Sequence, residues 1–292
     1  MLFRRRSALT ASQAAALARV LRSPTFELVP LKHALDQAAF LPPGATVSVT
    51  ASPAKGIEAT IALCEQLQAR GFRAVPHLSS RMIRDRAHLS ELIAWLEGAG
   101  VDRAFVVGGD AKEPGAYPDG LSLLRAMAEI GHPLSEIGIP AYPQGHPFIA
   151  DAPLLEALHA KTAFASYVTT QLCFDPRAIA TWIAARRAEG IALPVHVGLP
   201  GLAEPQKLLA IGARIGVADT HRFLAKNTRF VVRLIRSGGF YRPDGLLEEL
   251  APHVADPAAG ITSLHLYTFN AVDATERWRT AYLDRLRVQA AA

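Results

Sequence analysis

The feature that most constrains this chain is an alternation. A short run rich in β-branched and other apolar residues is followed by an amphipathic helix, and the unit repeats about eight times. It is clearest at "YVTTQLCFDP", 167–176, where an apolar strand runs to Gln171 and turns at Asp175-Pro176 into the helical stretch "RAIATWIAARRAEG". Strands that each need a helical crossover must be parallel, and eight such units in 292 residues predict an α/β fold, a (β/α)8 TIM barrel. A doubly wound open sheet is the rival, and the lack of a G-x-G-x-x-G after any strand weighs against it.

Strands are expected at 25–32, 46–52, 72–80, 103–110 and 136–147, in a run ending on Gln171, and at 193–201 and 263–270. Between them apolar residues recur at helical spacing, as with Ile57, Ile61, Cys64 and Leu67, or Leu89, Leu92, Ile93 and Leu96. A further helix is expected over 204–216. The segment 217–260 breaks the rhythm and reads as an insertion with extra helices at 220–236 and 245–254 before the last strand. Trp278, Tyr282 and Leu286 are in register on a closing helix. One barrel domain over 1–292 is expected, with a helical lead at 1–24. The first 26 residues hold several arginines and no acidic residue, a transit-peptide composition. The preferred reading is a helix begun by Thr10 or Ser12 and closed before Ser23-Pro24.

Composition narrows the function classes. A hydrophobic content of 50% with 20% charged residues describes a soluble globular chain, and no apolar run reaches the roughly 18 residues a membrane helix needs. The net charge of +5 is thinly spread and comes without a nucleic-acid-binding module, so no nucleic acid and no membrane are expected as partners. Cys64 and Cys173 are too few for a disulfide framework or a multi-cysteine zinc site; both read as reduced core residues of a cytoplasmic protein.

Barrel enzymes carry their chemistry at the C-terminal ends of the strands. Those ends read Glu27, Thr50, His77, Asp110, Tyr142, Gln171, Pro200 and Tyr267. No strand offers a lysine in its core for a Schiff base. His77, His146, His196 and His265 are isolated from one another in sequence, so no metal site is expected. The ring suits a polar heterocycle with a carboxylate for proton transfer. Glu27 lies among Phe26, Leu28 and Val29, and burial of a carboxylate favours its neutral, proton-donating form. Asp110 after Gly108-Gly109 is either a turn former or a ligand contact on an open backbone. Gln171 has no obvious structural partner, whereas His196 reads as a satisfied core histidine, and Cys173 and Trp182 as packing.

The strings "FELVP", "VSVT", "PHLSSR", "GGD", "AYPQGHP", "TTQLCFD", "GLPG" and "HLYTFN", in this order, resemble the methylenetetrahydrofolate reductase family from about Thr25 to Asn270. The resemblance implies a flavin barrel that reduces 5,10-methylenetetrahydrofolate to 5-methyltetrahydrofolate with NADH or NADPH, through FAD, or runs in reverse in one-carbon catabolism. It implies that Glu27 protonates N10, that Asp110 sits by the pterin and tunes the flavin, and that Gln171 and Tyr267 bind substrate. Thr50, His77, Gly109, Asp110, Tyr117, Tyr142, His146 and Lys161 match flavin-holding positions. The expected partners are a folate-type small molecule and further copies of the chain, a homo-oligomer. The sequence departs from the family at Gly108, where arginine is common, at Gln144, at Leu154, Ala157 and Ala160, where polar residues touch the flavin, and at Ala271. A flavin-independent reductase of the same barrel and a non-catalytic folate- or flavin-binding partner of a methyltransferase are the alternatives.

Overall fold

The computed structural model describes residues 9–202 and 241–291. Within them eight parallel strands hydrogen-bond in sequence order and close into a barrel. They are β1 (Thr25–Leu28), β2 (Thr46–Val49), β3 (Arg73–Ser79), β4 (Arg103–Val107), β5 (Glu136–Ala141), β6 (Tyr167–Thr170), β7 (Val195–Pro200) and β8 (Ile261–Tyr267). Closure pairs Thr25 with His265 and Glu27 with Tyr267. The helices are α1 (Ala11–Arg22), α2 (Ala34–Ala38), α3 (Ile57–Ala69), α4 (Arg86–Gly98), α5 (Gly120–Ile130), α6 (Asp151–Lys161), α7 (Pro176–Ala188), α8 (Asp244–Ala255) and α9 (Val272–Ala291). The expected helices at 204–216 and 220–236 lie outside the described residues. The one expected at 245–254 is α8.

The two faces of the strands explain why the barrel forms and where its chemistry goes. Side chains alternate between the faces of a strand. Phe26, Leu28, Val47, Val49, Val106, Ile139, Leu264 and Leu266 point outward and join the helices in one apolar core. Each such side chain removed from water contributes roughly 1.5–3 kcal/mol. The opposite parity lines the interior. Val75, Phe105 and Tyr167 form a separate apolar plug there, partly backed by Val107. Parallel strands are commonly apolar on both faces. Here Glu27, Ser48, His77, Thr169, His196 and His265 share the inward parity, so the polar residues of the strands are concentrated inside the barrel.

Local chemistry sets the helix ends. Thr10 caps α1 in a capping box with Gln13, and Asp175 caps α7, with Pro176 in the first turn. The lead at 10–22 is therefore a helix. It buries Ala14, Leu17, Val20 and Leu21. Arg279 of α9 donates to the Leu21 carbonyl at 2.8 Å and pairs with Glu276, tying α1 to α9. Cys64 and Cys173 are buried free thiols. Trp182 packs against the core, with the Arg186 guanidinium 5.6 Å from its ring centre. No helix among the described residues is long and apolar enough to cross a membrane.

Candidate active site

Closure of the barrel assembles the site. Glu27, the third residue of β1, projects inward, and its side chain is 13% exposed, nearly buried but reachable from the mouth. Its Oε2 lies 3.2 Å from His265 Nε2, delivered by β8. One proton between them, on the carboxyl or on the imidazole, satisfies this contact. His77 Nε2 approaches the same carboxylate oxygen from β3 at 3.8 Å, too far for a hydrogen bond, and lies 2.7 Å from Ser48 Oγ. Burial holds the His77 imidazole down at about 4 and His265 adds to this, while the Glu27 charge opposes it; His77 is neutral at physiological pH. Its ring lies 4.9 Å from Phe105, the apolar floor beneath the pair. Isolated along the chain, His77 and His265 flank one carboxylate in the fold: β8 returns beside β1 and brings His265 to 3.2 Å, while His77 reaches the same oxygen to 3.8 Å from β3. No trio of His, Cys, Asp or Glu among the described residues is arranged to hold a metal ion.

The loop after β8 fixes the backbone on which Glu27 sits. Thr268 Oγ1 donates to the Glu27 carbonyl at 2.6 Å. Asn270 accepts from Val29 N–H and donates to the Val29 carbonyl, both at 2.9 Å, imitating a neighbouring strand. Asn270 takes φ 60°, a left-handed conformation that asparagine tolerates better than most residues. The asparagine of "YTFN" therefore braces the site, and Tyr267 spans it. Its hydroxyl donates to the Thr170 carbonyl at 3.1 Å, crossing β7 at Gly198. A Cβ on Gly198 would lie 2.1 Å from that same carbonyl oxygen and 2.7 Å from the Tyr267 ring. Burial, then the Glu27 charge, raises the Tyr267 phenol well above its ordinary value, so it stays a neutral donor.

The remaining sequence candidates sit around the rim or away from it. Thr50 is half-buried just past β2. Gly109 has φ +85°, and a Cβ there would lie 1.8 Å from Ser79 Oγ, so only glycine lets the loop after β4 cross the end of β3. Asp110 follows, exposed, and its charge reaches Tyr142 and His146. Those two rings meet edge-on at 5.0 Å. Burial pushes the Tyr142 phenol up to about 12, with Asp110 adding to the shift; burial lowers His146 against the pull of Asp110. Gln171 lies one residue beyond β6, half-buried, and its Oε1 accepts the Leu172 N–H at 2.8 Å. Lys161 closes α6, half-buried and lowered by burial, with Asp119 opposing. Tyr117 is 8% exposed and packs into the outer core.

His196 is half-buried with its Nδ1 shut off from solvent, and it is not satisfied. Its ring stacks on Tyr167 at 4.1 Å, and among the described residues its Nδ1 has no partner. Burial first, then His265 and Arg103, lower it to about 3.

Two solved structures are similar to the chain in fold. One, described as a "putative phosphonomutase" from Burkholderia cenocepacia J2315, is 15% identical, with 97% of this chain and 98% of that chain covered and a TM-score of 0.44. The other is the carboxyl transferase domain of Rhizobium etli pyruvate carboxylase with 3-bromopyruvate, 10% identical, with 100% of this chain and 53% of that chain covered and a TM-score of 0.46. At these values neither likeness bears on chemistry. The sequence model for methylenetetrahydrofolate reductase matches residues 31–210, a span holding Thr50, His77, Gly109, Asp110, Tyr142, Lys161 and Gln171, with Glu27 just ahead of it and β8 beyond it. That span is well over half of the 292 residues, and the chain belongs to the methylenetetrahydrofolate reductase family.

Proposed function

We propose that the protein is an NAD(P)H-dependent oxidoreductase that interconverts 5,10-methylenetetrahydrofolate and 5-methyltetrahydrofolate. The observation that carries this reading is the Glu27 carboxyl, nearly buried at the barrel mouth and 3.2 Å from His265 Nε2, in a chain of this family. In the reducing direction Glu27 gives its proton to N10 of the substrate, and the bond between N10 and the one-carbon unit breaks. The resulting N5 iminium accepts a hydride that originates on the nicotinamide and becomes the N5-methyl group. Proton and hydride together balance the step. His265 holds the carboxyl in place and shares the charge left on it. Neutral His77 and Ser48 fill the other side without adding a cation that would favour the ionised carboxylate and strip Glu27 of the proton it must donate. Tyr267, Gln171 and Asp110 are proposed to orient the pterin.

The family is generally flavin-dependent, and the groups around this mouth fit the two ends of FAD unequally. Thr50, His77, Tyr142 and His146 are uncharged hydrogen-bonding groups suited to the edge of an isoalloxazine ring. The diphosphate end finds carboxylates and engaged cations, set out below, and does not fit. No step is assigned to FAD. The reaction is proposed to take place in the cytoplasm, in a homo-oligomer.

The test is Glu27→Gln. Folate binding by calorimetry is expected to change less than threefold. Formation of 5-methyltetrahydrofolate should fall by at least about a hundredfold, the scale of general acid catalysis. Turnover close to that of the parent protein would refute the assignment. A parent protein that binds folate without oxidising NADH or NADPH, with or without added flavin, would favour the non-catalytic alternative.

A further inference from the structure

Diphosphates are held in proteins by free helix N-termini, glycine-rich backbone and arginine or lysine forks. On the side of the mouth between the loops after β4 and β5, exposed Lys112 stands between Asp110 and Glu113 in sequence, and the helix ends and the Arg81 guanidinium there are engaged or opposed. In the first turn of α5 the N–H groups of Leu121 and Ser122 are taken at 2.8 and 2.9 Å by the carboxylate of Asp119 itself. The first turn of α6 carries Asp151, and its third residue is Pro153, which has no N–H. The Arg81 guanidinium donates to the backbone carbonyls of Ala111, Lys112 and Pro118 at 2.6, 2.8 and 3.4 Å, so it organises the loop and has little left to offer a ligand. Burial lowers half-buried Lys161, with the Asp119 charge opposing. One turn before it on the same face of α6 stands half-buried Ala157, with Leu154 before that. Exposed Asp110 adds negative charge at the rim.

We propose that this mouth selects a flavin ring without its dinucleotide arm, so that FAD binds no more tightly than riboflavin. The inference rests on the oxidoreductase reading and specifies its cofactor. The ring-facing groups are neutral and match a neutral heteroaromatic edge. A doubly charged diphosphate on this side would meet the carboxylates of Asp110, Asp119 and Asp151.

Titration of riboflavin and FAD with the full chain, followed by flavin fluorescence, tests this directly. Dissociation constants within threefold of each other are expected for the parent protein. Ala157→Arg places a cation one turn from Lys161 at a half-buried position. It is expected to tighten FAD by about tenfold and leave riboflavin within twofold, since a charged hydrogen bond to phosphate is worth roughly that factor. FAD binding tenfold or more tighter than riboflavin in the parent protein would overturn the proposal. So would an Ala157→Arg variant that tightens both flavins equally. If neither flavin binds either protein while reduced nicotinamide still converts the folate, the inference fails and the oxidoreductase reading stands. If flavins bind as expected but no folate turns over, the reverse holds.

Discussion

Replacing Asn270 separates two contributions to the brace behind Glu27. In Asn270→Ala the two 2.9 Å hydrogen bonds to Val29 are lost. Each contributes about 1 kcal/mol net. The backbone at φ 60° is also left without glycine or asparagine, which costs an alanine about 1 kcal/mol. The sum is about 3 kcal/mol. In Asn270→Gly the same bonds are lost but the left-handed conformation is unstrained, so about 1 kcal/mol of the loss is recovered. Asn270→Asp keeps an acceptor for the Val29 N–H and points a carboxylate oxygen at the Val29 carbonyl in place of a donor, so it should fall near the alanine variant. Equilibrium urea unfolding at pH 7 measures all three. With a slope of about 3 kcal/mol/M, the alanine variant should unfold about 1 M earlier than the parent, with the slope unchanged. An alanine variant within about 0.5 kcal/mol of the parent, or as stable as the glycine variant, would refute the account of the brace.

Gly109→Ala should cost about 2–3 kcal/mol, because its Cβ falls 1.8 Å from Ser79 Oγ at φ +85°. Adding Ser79→Ala should restore roughly 1 kcal/mol, and strict additivity in that double-mutant cycle would show that the two residues do not meet. Acid should destabilise the fold through His77 and His196. Their folded values, about 4 and about 3, lie below the ordinary 6.5, so the unfolded chain binds the protons first and stability falls as pH drops below 6.5. The loss through His77 is complete below about pH 4 and is on the order of 3 kcal/mol. His196→Phe should flatten the stability profile between pH 6.5 and 5; an unchanged slope would show that His196 is not held neutral. Gly198→Ala should destabilise by about 2–4 kcal/mol, since overpacking and loss of the Tyr267 hydrogen bond combine. Combining it with Tyr267→Phe should cost less than the sum of the two single changes.

The barrel was legible because its cause is periodic. Each apolar run needed a partner strand on both edges, each helix needed an apolar face to cover, and eight such units in order leave a closed parallel sheet as the economical solution. Asp175-Pro176 and the Thr10–Gln13 box were readable for a similar reason, since capping is decided within four residues. The positions of Glu27, Asp110 and Tyr267 near strand ends followed from the same alternation.

Other features were written in the sequence only once closure was assumed. His265 stands two residues before Tyr267, on the same face of β8, and β8 neighbours β1 in a closed barrel; that parity places it against Glu27. Read along the chain, the two are 238 residues apart and appear unrelated. Ser48 could be found the same way, opposite Glu27 on β2.

The sequence by itself determined the strand and helix periodicity, the inward parity of the polar residues and the glycine at position 109. These are local properties, set by alternation and backbone sterics. Tertiary structure alone decided that His265 Nε2 lies against the Glu27 carboxylate, that His77 turns to Ser48 and that Asn270 clamps Val29. Those outcomes depend on distances of a few ångströms between strands far apart in sequence, and only the shear and closure of the barrel set such distances.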